Sequence, residues 1–240
     1  MSAIMRKAAK GLGLLLDRRF RHGLFKGVAA TLEHREALEP FSFASVVDIG
    51  ANRGQFTLLM AGLQPDAAIL AFEPLIEPYR KLIDVTSGFQ SVRAFNVAIG
   101  PERVSLPMNV ARRDDSSSLL PITALQEQIF PNTGHERTAD VQIAPLGDFL
   151  DGQVSARPSL LKVDVQGYEL EVLKGSADVL DRFDVLYVEA SFLELYRGQP
   201  LASDIVDWLR ERGFRLSAIH NLVHAPDGRA VQADFLFEHS

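Results

Sequence analysis

The stretch Ser45–Gly50, SVVDIG, constrains the fold more than any other part of this chain. A strand with one wet face alternates apolar and polar residues, whereas this one carries valine or isoleucine on both parities and ends on glycine. Such a strand is buried on both faces, as in a parallel sheet covered by helices. The pattern recurs. Ala68–Phe72, Val92–Ile99, Leu160–Val165 (LLKVDV) and Val185–Glu189 read as further strands. Helical stretches at Gln55–Gly62, Pro78–Val85, Glu169–Lys174 and Ser203–Arg212 alternate with them, the last with Ser203 as its cap. Val104–Val110 and Val141–Pro145 are extra short strands around a polar stretch, 112–138, which holds a short helix near Ala124–Phe130. Phe214–Ile219 and Ala230–Phe237 flank the turn Pro226-Asp227-Gly228 with no helix between them, so they are expected to pair antiparallel. Strand–helix alternation predicts an α/β fold with a mostly parallel sheet and helices on both faces.

With 240 residues and no linker-like segment, one domain over 42–240 preceded by a basic helical extension over 1–41 is the economical division. There is no cysteine, which excludes disulfides, thiolate metal sites and a cysteine nucleophile, and which fits a cytoplasmic setting. Residues 1–40 hold eight Lys/Arg against four Asp/Glu, while the other 200 hold 17 against 27. A body this acidic disfavours a nucleic-acid partner. In the extension, Arg6, Lys7, Lys10, Arg18, Arg19, Arg21 and Lys26 interleave with leucines and phenylalanines. No apolar run there is long enough for a membrane span or an export signal. The segment reads either as a surface helix covering one edge of the domain or as a peripheral membrane contact.

In an open α/β sheet, ligands bind beyond the carboxyl ends of the strands. Those ends carry Asp48, Gly50, Asn52 and Gly54 after the first strand, and Glu73 after the second. They carry Asn96 and Ala98 at the third, Asp164-Val165-Gln166-Gly167 at the fourth and Glu189 at the fifth. The glycines permit a tight turn, and Glu73 stands 23 positions after Gly50, the distance at which a second-strand acid reaches ribose hydroxyls. The dinucleotide fingerprint would need glycine at 52, where Asn52 stands, so a nicotinamide cofactor is disfavoured. Asp48 suits a cationic ligand group, and S-adenosylmethionine offers an ammonium and a sulfonium.

The segments VVDIGANRGQFT (46–57), AFEP (71–74), NVAIG (96–100), SSSL (116–119) and LLKVDVQGYELEVLKGS (160–176) carry a resemblance. Joined by VEASFLELYRGQPL (188–201) and QADFLF (232–237), the chain from about 42 to 238 resembles the FkbM family of S-adenosylmethionine-dependent methyltransferases. The resemblance implies a Rossmann-like class I methyltransferase fold, with a seven-stranded sheet and an antiparallel C-terminal strand. It also implies that Asp48, Gly50, Asn52 and Gly54 hold the methionine part of the cofactor, that Glu73 holds the ribose, and that Asn96–Ala98 borders the adenine. Many relatives carry Glu where this chain has Gln166, so no catalytic role is expected at that position.

An alcohol acceptor must lose a proton, and the strand-end candidates for that role are Asp164 and Glu189. Alternatively, the two carboxylates could hold Mg²⁺. Asp164 could instead cap the following helix, and Glu189 could be a buried partner for an arginine. His220 and His224 fall near the last two strands, either overhanging the site or as surface histidines. Ser116–Ser118 reads as part of a lid or as a solvated loop, and Tyr168 and Tyr196 as substrate-ring partners or core. The expected activity is O-methyl transfer to a hydroxyl of a sugar or glycosylated metabolite, the acceptor class coming from the resemblance. A polyketide or lipid-like acceptor and a non-catalytic cofactor-binding module are the alternatives.

Overall fold

A computed structural model describes residues 20–150 and 156–239. Five of the predicted strands start the main sheet: β1 (Ser45–Ile49), β2 (Ala68–Phe72), β3 (Val92–Phe95), β7 (Ser159–Val163) and β8 (Val185–Ser191). β9 (Phe214–His224) and β10 (Ala230–His239) complete it in the order β3-β2-β1-β7-β8-β10-β9. β10 runs antiparallel to both of its neighbours, and the other pairings are parallel. The chain therefore inserts its last strand between β8 and β9, which the hairpin at Pro226-Asp227-Gly228 makes possible. Asp227 Oδ1 accepts the Arg229 N–H there, and Gly228 takes a φ of 86°. A small second sheet, β4 (Ala98–Ile99), β6 (His135–Ala144) and β5 (Val104–Ala111), stands beside it.

Helices α3 (Gln55–Leu63), α4 (Ile76–Thr86), α6 (Glu169–Lys174) and α7 (Ala202–Arg210) link the strands. Two shorter ones, α1 (Arg21–Phe25) and α2 (Arg35–Leu38), precede β1, and α5 (Ala124–Ile129) lies between β5 and β6. On one face of the sheet Val47, Ile49, Leu161, Val163, Leu186 and Val188 pack against Val172, Leu173, Ile205 and Leu209 of α6 and α7. On the other, Val46, Leu160 and Tyr187 pack against Ala37 and Leu38 of α2 and Phe56 and Met60 of α3. Each such apolar side chain contributes roughly 1.5–3 kcal/mol by leaving water. Towards the strand ends this second face turns polar, with Asp48, Lys162, Glu189 and Asp234 in line with the apolar residues two positions away.

Residues 20–41 pack onto this body. Phe20, Val28 and Ala30 join Leu58, Leu59 and Val85, and Lys26 ion-pairs with Asp84 of α4 at 3.0 Å. Arg6, Lys7, Lys10, Arg18 and Arg19 lie outside the described residues. Among the described residues no helix is long and apolar enough to cross a membrane.

Several boundaries differ from the sequence reading. The run Val92–Ile99 divides between the two sheets, because Asn96 turns its side chain onto the carbonyls of Glu73 and Pro74 at 3.0 and 2.7 Å and breaks the strand. β6 begins at His135, ahead of Val141, since β5 gives it a partner along that length. Ser203 does not cap α7: the helix starts one residue earlier, and Asp204 Oδ2 accepts the Leu201 N–H at 2.8 Å.

Candidate active site

A cavity of about 380 Å³ opens beyond the strand ends, a size suited to a small organic ligand. Of the residues expected to form the site, Gly50, Asn52, Glu73, Ala98, Asp164 and Glu189 line it, and Asp48, Gly54 and Asn96 do not. Asp48 is fully buried, accepts from Thr57 Oγ1 at 2.6 Å and ion-pairs with Lys162 at 3.0 Å. Gly54 starts α3 at a φ of 94°, packed against Leu82 and Val85. Gly50 is required for a steric reason: at its φ of 79° a Cβ would collide with the backbone oxygen of Asp164.

Glu73 sits 5% exposed at the end of β2, where its two oxygens accept the N–H groups of Asn52 (2.9 Å) and Leu75 (2.7 Å). Burial dominates and pushes its pKa up to about 7 despite those two bonds. A carboxylate offers about four lone-pair sites, so two remain for ligand hydroxyls. Asn52 takes the left-handed conformation at φ 47°, and its Oδ1 accepts the Arg53 N–H at 2.8 Å. Leu75, Val97, Ile99 and Met108 supply an apolar wall around Ala98. A buried carboxylate with free lone pairs beside an apolar wall fits the nucleoside of S-adenosylmethionine.

Beyond the ends of β7 and β8 the residues are strongly hydrogen-bonded. Gln166, also left-handed at φ 59°, donates from Nε2 to Asp164 Oδ1 (2.8 Å) and to Glu189 Oε2 (2.9 Å). Its Oε1 accepts from Tyr196 Oη at 2.8 Å, and its backbone oxygen accepts from Ser118 Oγ at 2.6 Å. Gln232 Nε2 donates to Glu189 Oε1 at 2.7 Å. Glu189 is thus held by two neutral amides and no arginine. Its pKa is raised well above the carboxylate range by burial first, then by Asp164, Asp234 and Glu169. Asp164 does not cap the next helix; Glu169 Oε1 takes that turn's N–H groups, from Val165 at 3.1 Å and Gly167 at 3.0 Å.

Among the described residues no three His, Cys, Asp or Glu side chains are grouped to hold a metal ion, and an amide rather than a cation joins Asp164 to Glu189. These donors give Mg²⁺ no support.

Ser116 and Ser117 line the cavity, beside Asp114, which is tied to Arg53 by an ion pair of 2.6 Å. Tyr168 also lines it. Tyr196 is buried and reaches the site through Gln166. His220 and His224 are not part of the wall, but His34 is, along with Lys162, Asn221 and Asp234. Lys162, 6% exposed, ion-pairs with Asp48 and lies 3.7 Å from Asp164. Burial pulls its pKa down, but Asp48 and Asp164 outweigh it and the pKa is pushed up to about 12. A lysine inside the apolar run LLKVDV was the available signal for it. No local pattern marked His34.

The sequence matches the model of the methyltransferase FkbM domain over residues 48–216. Methyltransferase sdnD of Sordaria araneosa is 31% identical over 195 residues, covering 72% of this chain and 74% of its own. The 2-O-methyltransferase NoeI of Sinorhizobium fredii is 24% identical over 210 residues, covering 82% and 86%. Among solved structures, a Streptococcus pneumoniae protein provisionally assigned as a tRNA (m1A22) methyltransferase aligns with a TM-score of 0.50. That alignment has 13% identity and covers 87% of this chain and 70% of that one, a likeness of fold alone. With strand order, strand-end acid and family model in agreement, the chain belongs to the FkbM methyltransferase family.

Proposed function

We propose that this methyltransferase uses S-adenosylmethionine to methylate a hydroxyl of a sugar or glycosylated small molecule. The observation that carries the reading is a single cavity holding Glu73 at one end and the Asp164–Gln166–Glu189–Gln232 network at the other. The bound donor would supply an electrophilic methyl on a sulfonium. Glu73 accepts hydrogen bonds from the ribose hydroxyls, and the apolar wall around Ala98 shields the base from water. Asp164 and Glu189 each keep lone pairs beyond the amide bonds they accept, which suits them to hold neighbouring hydroxyls of a polyol. Positioning of this kind supplies much of the rate of an in-line displacement. The similarity to NoeI, named a 2-O-methyltransferase, supports an oxygen acceptor.

Calorimetric titration with S-adenosylmethionine and with NADH, on the wild type and Glu73→Ala, tests the cofactor. Binding of the first alone, weakened at least tenfold by the substitution, is expected. Isotope-labelled methyl transfer to a panel of simple glycosides and long-chain alcohols then tests the acceptor. Transfer confined to the long-chain alcohols would replace the sugar reading with the lipid-like one.

A further inference from the structure

We propose that His34 takes the proton of the acceptor hydroxyl, with Nε2 as the base and Asp234 as the positioning residue; this rests on the hydroxyl-acceptor reading above. The turn Leu32–His34 lies over the second face of the sheet, and His34 lines the cavity with its side chain 16% exposed. Its Nδ1 stands 3.1 Å from Asp234 Oδ2, 3.1 Å from Tyr187 Oη and 3.2 Å from Asn221 Nδ2. The same oxygen accepts from Tyr187 Oη at 3.0 Å and from Asn221 Nδ2 at 2.7 Å. Burial alone would raise the pKa of Asp234; the hydrogen bond and charge attraction of His34, then donation from Asn221 and Tyr187, outweigh it and hold the carboxyl below its usual range. Of the three groups around Nδ1 the carboxylate is the one that only accepts, so a proton on Nδ1 serves it and leaves the lone pair on Nε2. No hydrogen bond occupies Nε2 among the described residues.

Asn221 adopts the left-handed conformation at φ 50°, uncommon for a residue in a strand. The irregular pairing of β9 with β10 around Gln232 and Asp234 accompanies it. That backbone conformation lets the side chain reach Asp234. Each oxygen of Glu189 accepts an amide N–H, which its use as a base would weaken, whereas Nε2 of His34 carries no such bond among the described residues.

The location is consistent with the acceptor side. Four strand spacings, about 19 Å at ~4.8 Å each, separate β2, which carries Glu73, from β10, which carries Asp234. A nucleoside held at Glu73 therefore leaves the His34 end of the cavity for the acceptor. The charged and titratable groups around the ring are Asp234 from β10 and Tyr187 and Glu189 from β8. His220 of β9 lies 6.4 Å beyond Tyr187. From α3, Phe56 packs edge-on at 5.6 Å, with Lys162 Nζ 5.3 Å from the Phe56 ring centre.

In the step itself, an oxygen lone pair of the acceptor forms the new O–C bond while the S–C bond to the methyl breaks, leaving its electron pair on sulfur. The hydroxyl proton passes to Nε2, and the imidazolium returns it to water when the products leave.

Two measurements test this. Ring-nitrogen NMR of ¹⁵N-histidine protein with S-adenosylmethionine bound should show His34 as the Nδ1–H tautomer at pH 8, and Asp234→Asn should erode that preference. A persistent Nε2–H tautomer in the wild type would overturn the proposal. With any glycoside or alcohol of the panel that the wild type methylates, His34→Asn should lower kcat about 10²–10⁴-fold, with KM and cofactor Kd within threefold. His34→Ala should recover part of the rate in added imidazole. A kcat within threefold of wild type for His34→Asn would sink His34 as the base and leave the hydroxyl reading standing. No wild-type transfer to any alcohol would count against that reading itself and take the proposal with it.

Discussion

Glu189 and Asp234 are register partners across β8 and β10, yet their proton affinities move in opposite directions. Burial raises both. Glu189 receives two neutral amide donors and faces three other carboxylates, and burial together with those carboxylates prevails. Asp234 gathers an imidazole, a phenol and an amide on one oxygen, and the donors prevail. Donor count and type, rather than depth, set which of two adjacent acids stays charged. The β8–β10 end of the cavity thus holds one acid whose proton affinity is raised beside one whose affinity is lowered.

The widest test of that contrast removes a cation from the same face. Lys162→Met leaves Asp48 fully buried with Thr57 as its remaining side-chain partner, and should cost about 3–5 kcal/mol in urea unfolding at pH 7. Asp234→Asn keeps the shape but loses the charge that three donors serve, for an expected loss of about 2–3 kcal/mol. Because the folded pKa of Asp234 is depressed, this contribution is present above the unfolded value of about 3.8 and fades as pH falls through the folded one. A loss unchanged between pH 7 and pH 2.5 would show that packing rather than charge is responsible.

The raised acids predict the opposite slope. Glu169, pushed up to about 7 chiefly by burial, binds more protons folded than unfolded, so it lowers stability as pH rises from about 4.5 through 7. Glu169→Gln keeps an acceptor for Val165 and Gly167 and should gain about 1–2 kcal/mol at pH 8 and nothing at pH 4. Glu189→Gln should likewise stabilise the fold at pH 8 and leave it unchanged at pH 4, once Gln232 turns its amide to accept. A loss at pH 8 would mean that Glu189 is charged in the folded protein, and the contrast with Asp234 would disappear.

Much of this was legible in the sequence. SVVDIG, AILAF and LLKVDV announced a parallel sheet through unbroken apolar runs, and Glu73 stood at the spacing where a ribose-binding acid belongs. The break at Asn96 was less visible, because an asparagine inside a β-rich run becomes a breaker only when carbonyls from another strand come within reach. Gln166 was visible only as a departure from the family pattern. Its use, two N–H donors between two carboxylates, depends on β7 and β8 being neighbours.

The histidines mark the boundary most sharply. His220 and His224 were read either as overhanging the site or as surface histidines and do not line it, whereas His34, in a segment read as an extension, does. The sequence by itself determined the sheet, its polarity and the Glu73 end of the cavity, since those follow from local periodicity and from residues a few positions apart. Only the tertiary structure decided the end beneath β8 and β10. There His34, Tyr187, Asn221 and Asp234 meet across as much as 200 positions of chain, and local patterning carries no record of which distant side chains will share one carboxylate.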